Sequence, residues 1–368
     1  MSGIKITEER RLTMWDYIVE APGVALNNLG RSDELLEPLF WAMGSAAPAR
    51  IWIVASGSSQ HAALIALPFM RSCLPSVDVK VIPPSTFMYY DHEVEAEDIV
   101  FVVTQSGLST NAIEALDFVH ARGWQTICVT ANPHADAREH AENVIDYGAG
   151  EELVGYVTKG VVTLAVFFMM LAAKLGGCSE RLQEIEQVIR TSEDVRSQAV
   201  AFFESHMKDL TSMSVAYFMG AGPTWGVAAE GALKMGETVH IPSPLYELEE
   251  FIHGPNLQLT PAYTAFFFDA PDGASDRCCQ IWRATAEVTD RAYLLTTRPE
   301  LAAELGVLAV PELPSADLAS LAFLPAIQTL SFLVSDALGS TKQHPLIRRF
   351  KAIAAAKTET FVNYDRDD

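Results

Sequence analysis

In the run Glu230-Gly-Ala-Leu-Lys234-Met-Gly-Glu237, three ionisable side chains stand three, four and seven residues apart. These spacings share one face of a helix. Sixteen residues after Glu237, His253 immediately precedes Gly254-Pro255, a pair that breaks regular structure and sets a turn. Two carboxylates, an ammonium and an imidazole suit proton transfer on a small polar molecule. The same residues also fit an exposed helix laced by Glu230–Lys234–Glu237 ion pairs and followed by a loop histidine. His240 reads as a packed or surface histidine near a strand start.

A second constellation is rich in hydroxyls. Ser56-Gly-Ser58-Ser59 and Thr104-Gln105-Ser106-Gly-Leu-Ser109 each follow an apolar run and precede a helical pattern. In a doubly wound sheet such loops meet at the carboxyl ends of the strands, where ligands bind. Hydroxyls with free amides at helix starts form an anion cradle without formal positive charge. Helix capping by Ser and Thr is the alternative use of the same residues.

The elements that must position these groups alternate. Ile51–Ala55, Val77–Ile82, Ile99–Thr104 and Thr126–Thr130 are buried-strand candidates, mostly apolar, separated by helical patterns, one of them from His61 to about Cys73. That arrangement predicts an α/β fold whose parallel sheet is covered by helices on both faces. The second half repeats the plan. Val215–Met219 ends in Gly-Ala-Gly-Pro-Thr as Ile51–Ala55 ends in Ser-Gly-Ser-Ser, and Ile241-Pro-Ser-Pro echoes Ile82-Pro-Pro-Ser. Tyr263–Phe268 answers Ile99–Thr104, and the apolar stretch 320–338 answers 160–175. One duplicated unit accounts for this better than two unrelated ones. The expected organisation is a helical N-terminal segment at 1–45, a first unit at 46–178 and a helical connector at 179–208. A second unit follows at 209–345, then a C-terminal tail at 346–368.

Composition narrows the function classes. The chain has 368 residues, 26 Lys and Arg against 47 Asp and Glu, and a net charge of -21. That field repels nucleic acid and anionic membranes, so neither is expected as a partner. Any anionic ligand must be held by local donors. No run reaches eighteen apolar residues, and no apolar core follows the basic N-terminal stretch, so a cytoplasmic protein is expected. Five cysteines (73, 128, 178, 278 and 279) form no CxxC, so neither a metal nor a disulfide framework is expected. Gly220-Ala-Gly-Pro-Thr-Trp-Gly226 is near a dinucleotide fingerprint, but the following strand is expected to end in Ile241-Pro-Ser-Pro, without an acid for a ribose. GxxxxGK[ST], GxSxG and HExxH are all absent from the sequence. No cofactor is expected.

The segment from Glu230-Gly-Ala-Leu-Lys234 to His253-Gly-Pro255 resembles the tandem sugar-isomerase (SIS) domain family. It is most similar to the isomerase part of glucosamine-6-phosphate synthase, while the fructosamine-6-phosphate deglycases differ around the lysine. The resemblance covers nearly the whole chain and implies two tandem SIS domains, each a parallel sheet sandwiched by helices. It implies that Ser58, Ser59, Thr104, Gln105, Ser106 and Ser109 hold the phosphate of a hexose 6-phosphate. Leu108 departs from the family, which has Glu there. It further implies Glu237 as the base at C1/C2, His253 as the ring-opening acid or base, and Glu230 with Lys234 as supporting groups. In the family the histidine comes from the neighbouring subunit, which implies a homodimer. The synthase tail carries a lysine that covers the sugar and can form an imine. Lys357 is its candidate here, although the tail lacks Pro-Arg-Asn-Leu and Lys357 also fits a solvated helix face. Lys159 resembles the lysine of the Ser-Thr-Lys segment beside the synthase sugar, and equally fits a helix-start lysine.

The function expected is a phosphosugar isomerase or deglycase acting at C1/C2 of an amino or glycated hexose 6-phosphate. Met1-Ser2 supplies no N-terminal cysteine and no glutaminase domain precedes residue 45, so glutaminase activity is not expected. Lys234 favours the isomerase branch, and the altered tail with the missing glutaminase favours the deglycase branch. The alternative is a non-catalytic sugar-phosphate-binding regulator. No helix-turn-helix precedes the first unit, which argues against a DNA-binding one.

Overall fold

The strand order is the same in both halves of the chain. A computed structural model describes residues 12–44, 48–340 and 344–360. Two helices come first, α1 (Met14–Gly30) and α2 (Ser32–Met43). The first unit then runs β1 (Arg50–Val54), α3 (Ser58–Cys73), β2 (Asp78–Ile82), α4 (Pro84–Tyr89), β3 (Ile99–Thr104), α5 (Thr110–His120), β4 (Thr126–Thr130), β5 (Val144–Asp146) and α6 (Lys159–Leu175). After α7 (Leu182–Arg190) and α8 (Ser192–Leu210) the plan recurs as β6 (Ala216–Gly220), α9 (Trp225–Thr238), β7 (Leu245–Glu247), α10 (Leu248–Ile252), β8 (Thr264–Asp269), α11 (Ser275–Ala286), β9 (Ala292–Thr296), β10 (Val307–Ala309) and α12 (Ala319–Leu338). A short α13 (Ile347–Ile353) ends the helices.

All strand pairs are parallel. The sheets read β2-β1-β3-β4-β5 and, in the same sense, β7-β6-β8-β9-β10, so the duplication read from the sequence is a duplication of topology. Helices cover both faces of each sheet, which is why β3 and β8 are buried at every position and read as unbroken apolar runs.

One apolar cluster joins the inner faces of both sheets through α3, α6, α9 and α12. Smaller clusters close the outer faces, with α4 and α5 on the first sheet and α10 and α11 on the second. The central helix α6 is buried from Lys159 to Ala173, as expected of a helix apolar all round. Residues 316–338, which include α12, are long and apolar enough to cross a membrane by composition, but they are mostly buried in this shared core.

The halves meet closely where α9 crosses α3. A Cβ on Gly226 would lie 2.5 Å from the Ile65 backbone nitrogen and 2.7 Å from its Cα, so only glycine permits this approach. Two expectations need correction. Ile241-Pro-Ser-Pro does not end a strand but leads into one: β7 begins after Pro244, and the Pro242 and Pro244 carbonyls accept from the Ala216 and Phe218 amides of β6, while the prolines have no N–H to donate in return. The proposed echo with Ile82-Pro-Pro-Ser, which follows β2, therefore fails, and so does the expectation of a strand ending in Ile241-Pro-Ser-Pro after the glycine-rich turn. His240 is exposed and takes a left-handed φ of 63° directly after α9, turning the chain toward that loop.

Candidate functional site

The first sheet reverses its winding between β1 and β3, and the loops after these neighbouring strands carry the hydroxyls. Asn111 Nδ2 donates to Ser56 Oγ at 2.8 Å and so ties one loop to the other. Helix α3 begins at Ser58 itself, earlier than the sequence suggested, on Gly57 with φ of 55°. Neither α3 nor α5 receives a side-chain cap from these residues, so the capping alternative does not account for them. Thr104 Oγ1 instead donates to Ser109 Oγ at 3.3 Å, and the Leu108 amide donates to Ser106 Oγ at 3.3 Å. The Gln105 carbonyl accepts from the Ala131 amide at 3.1 Å, anchoring the loop to the chain beyond β4. Gly107 sits at φ of 69°, and a Cβ there would lie 2.5 Å from the Ala135 Cβ. Ser58, Ser59 and Thr104 are buried, while Gln105, Ser106 and Ser109 are half-buried.

Ser58 also belongs to the second constellation. Its Oγ donates to Glu230 Oε1 at 3.1 Å and accepts from Lys234 Nζ at 2.9 Å. Lys234 Nζ lies 3.1 Å from Glu230 Oε1 and 3.2 Å from Glu237 Oε2. The two halves of the chain thus build one polar cluster across the α3–α9 crossing. Glu230 and Lys234 are fully buried, which overturns the picture of an exposed ion-paired helix for these two residues. Burial opposes both charges, yet each partner outweighs it for the other. The Lys234 pKa ends well above its ordinary value, with Glu230 and Glu237 holding the ammonium, and Glu230 is held below the usual range by Lys234 and His61. Glu237 differs from both. Its side chain is 36% exposed, and Oε1 takes no hydrogen bond among the described residues. It is a carboxylate aimed by one oxygen and open at the other.

His61 belongs to this cluster and was not singled out from the sequence. Its Nδ1 lies 2.9 Å from Glu230 Oε2, and its side chain is 16% exposed. No local signal marks it, because its partner lies 169 residues away in the chain. His253 is exposed beyond α10 and forms no hydrogen bond or ion pair with the cluster within this chain. Gly254 after it holds φ of 134°, which fixes the turn expected from Gly-Pro.

The two lysines of the sugar-site expectation separate. Lys159 is buried and turned toward α1, with Nζ 3.1 Å from Glu20 Oε1 and 2.8 Å from the Glu151 carbonyl. It is not brought to the serine loops or to Glu237. Both carboxylate oxygens of Glu152 accept backbone amides at the start of α6, and burial raises its pKa.

Lys357 is not on a solvated helix face. It lies beyond α13, bridges antiparallel to Ser109, and donates to Ser106 Oγ at 2.8 Å and Ser109 Oγ at 3.0 Å. Desolvation lowers its pKa to about 8. A cavity of about 600 Å³ opens between this strap, the loop after β3 and residues 150–157.

Taken together, the chain is a duplicated parallel α/β protein with a polar, partly open site where its halves join. Residues 46–174 match the family model described as SIS domain, and the second half repeats the topology of that unit. A glutamine–fructose-6-phosphate aminotransferase (isomerizing) of Clostridium perfringens is 29% identical over 253 residues, which cover 66% of this chain and 40% of that protein. This chain therefore spans less than half the length of that relative. Among solved structures, a Clostridium difficile protein provisionally described as a phosphosugar isomerase superposes with a TM-score of 0.84 at 21% identity, covering 95% of this chain and 99% of that one. The C-terminal domain of glucosamine-fructose-6-phosphate aminotransferase from Francisella tularensis gives 0.76 at 19% identity, covering 92% and 99%. At these identities the superpositions speak for the fold.

Proposed function

We propose that the protein is a phosphosugar enzyme that moves a proton between C1 and C2 of an amino or glycated hexose 6-phosphate. The observation that carries this reading is Ser58, whose hydroxyl joins the serine loops to the Glu230–Lys234–Glu237 cluster. A phosphate held by Ser59, Thr104, Gln105, Ser106 and Ser109 would leave the sugar carbons within reach of the cluster. Glu237, open at Oε1, takes the proton from one carbon as the carbonyl becomes an enediol and returns it to the next. Lys234 and Glu230 touch no solvent and serve to position Ser58 and Glu237. The exposed His253 loop suits delivery to a second copy, so the working form is read as a cytoplasmic homodimer in which that histidine assists ring opening.

On this reading, 46–178 and 209–345 act as the two SIS units. Isomerase and deglycase branches share the proton transfer and differ in whether an amine leaves afterwards. The buried Lys234, tied to Glu237, favours the isomerase branch. Glu237→Gln is the test. Turnover should fall by about 10²–10⁴-fold while phosphosugar affinity by calorimetry is kept. Full turnover by the variant would refute the assignment, and phosphosugar binding with no turnover by the unmodified protein would favour a sugar-phosphate-binding regulator.

A further inference from the structure

Beyond α13 the chain returns to the loop after β3 and forms a short strap across it. The Thr110 amide donates to the Ala356 carbonyl at 3.2 Å, and the Thr358 amide donates to the Leu108 carbonyl at 2.9 Å. Thr360 Oγ1 donates to Asp136 Oδ2 at 2.8 Å, so Lys357 lies between fixed points. Its ammonium contacts two of the hydroxyls read as phosphate ligands, Ser106 and Ser109. The Glu237 end of the site contacts a different residue, Ser58, through Lys234.

We propose that Lys357 is the cationic counter-ion of the phosphate loop, so that a phosphate monoester seated on Ser106 and Ser109 is closed over by the C-terminal strap. The proposal rests on reading 104–109 as a phosphate loop. It gives the lysine a role at the phosphate end, distinct from the sugar-covering, imine-forming one that the resemblance implies.

Three observations support it. The chain carries a net charge of -21, so an anion needs a cation close by. Among the described residues lining the adjoining cavity, Lys357 is the only lysine or arginine, and it shares that cavity with His134, Asp146, Glu151 and Glu152. An ammonium between two hydroxyls at 2.8 and 3.0 Å has the geometry to direct charge-assisted hydrogen bonds onto phosphate oxygens.

Linkage makes the role measurable. Without ligand the Lys357 pKa is lowered to about 8 by desolvation, and a neighbouring phosphate dianion restores the charged form. Above about pH 8 binding must therefore take up a proton, and affinity falls by up to about tenfold per pH unit. The second phosphate ionisation, near pH 6, and an ordinary histidine, near 6.5, are both complete below that window.

The experiment is calorimetric titration of the full chain with glycerol phosphate, a phosphate monoester with no carbonyl, at about pH 7 and about pH 9. It compares the unmodified protein with Lys357→Met, Lys357→Arg and the Ser106→Ala/Ser109→Ala double variant. The unmodified protein should lose affinity at the higher pH. Lys357→Met should bind about tenfold more weakly near neutrality and show no such fall. Lys357→Arg should restore affinity to within about threefold, because charge and not a primary amine is required. Affinity and pH response unchanged in Lys357→Met would overturn the counter-ion role. So would failure of arginine to restore binding, because a counter-ion role requires only the charge. Phosphate binding that survives in the double serine variant would instead overturn the phosphate-loop reading, so the two failures are distinguishable.

Discussion

Lys234→Met tests the electrostatic core of the site. In the intact protein Lys234 Nζ serves Ser58, Glu230 and Glu237 at 2.9, 3.1 and 3.2 Å, with Lys234 and Glu230 fully buried. Methionine replaces the stem but leaves Glu230 buried with only Ser58 and His61 as partners. Removing one member of a buried pair costs about 3–5 kcal/mol, because the remaining charge is uncompensated. Removing both charges is far less harmful, so Glu230→Gln/Lys234→Met should recover most of the loss.

The sign of the pH dependence follows from Glu230. Desolvation is the largest influence on it and is outweighed by Lys234 and His61 in the intact protein. Without Lys234 the folded-state pKa rises above the unfolded value. The folded variant then binds more protons, and its stability falls as pH rises from about 4 through that raised pKa. Urea unfolding at about pH 5 and about pH 8, run as a double-mutant cycle, reads this directly. The single variant should be the less stable of the two variants, and more so at the higher pH. Equal midpoints for the single and double variants at both pH values would refute the reasoning.

Two further predictions concern assembly of the site. Gly226→Ala places a Cβ 2.5 Å from the Ile65 backbone, so it should destabilise by about 1–3 kcal/mol and also reduce turnover by separating α3 from α9. Thermal unfolding with kinetics checks both. His61→Ala leaves Glu230 Oε2 without its imidazole partner and should lower kcat with little change in phosphate affinity, whereas a merely structural histidine would lower the folded fraction and leave kcat per folded molecule intact.

The sequence made the long elements legible for a physical reason. Strands such as β3 and β8 are buried on both faces and admit no polar alternation, and α6 is apolar all round. Duplication was visible because each unit starts with an apolar run, a small-residue loop and a helix. The three-residue strands β5, β7 and β10 are too short to leave a pattern. The Glu230, Lys234 and Glu237 spacing pointed to one helix face, but it gave no depth, and burial was what separated a positioned cluster from surface ion pairs. His61 and Lys357 were poorly legible because both gain meaning only from distant partners. Lys357 follows Ala-Ala-Ala, which reads as helix, yet its backbone pairs with Ser109. Gly226 likewise looked like part of a fingerprint until α3 was seen pressed against it.

The central claim is proton transfer at C1/C2 by Glu237. The most direct measurement is incubation of the purified protein in heavy water with fructose 6-phosphate, glucosamine 6-phosphate and 6-phosphorylated glycated amino acids, read by mass spectrometry. The account predicts deuterium at C1 or C2 of at least one of them, with or without loss of the amine, and none with Glu237→Gln. Exchange that persists undiminished in Glu237→Gln, or its absence from every phosphosugar that binds, would contradict it.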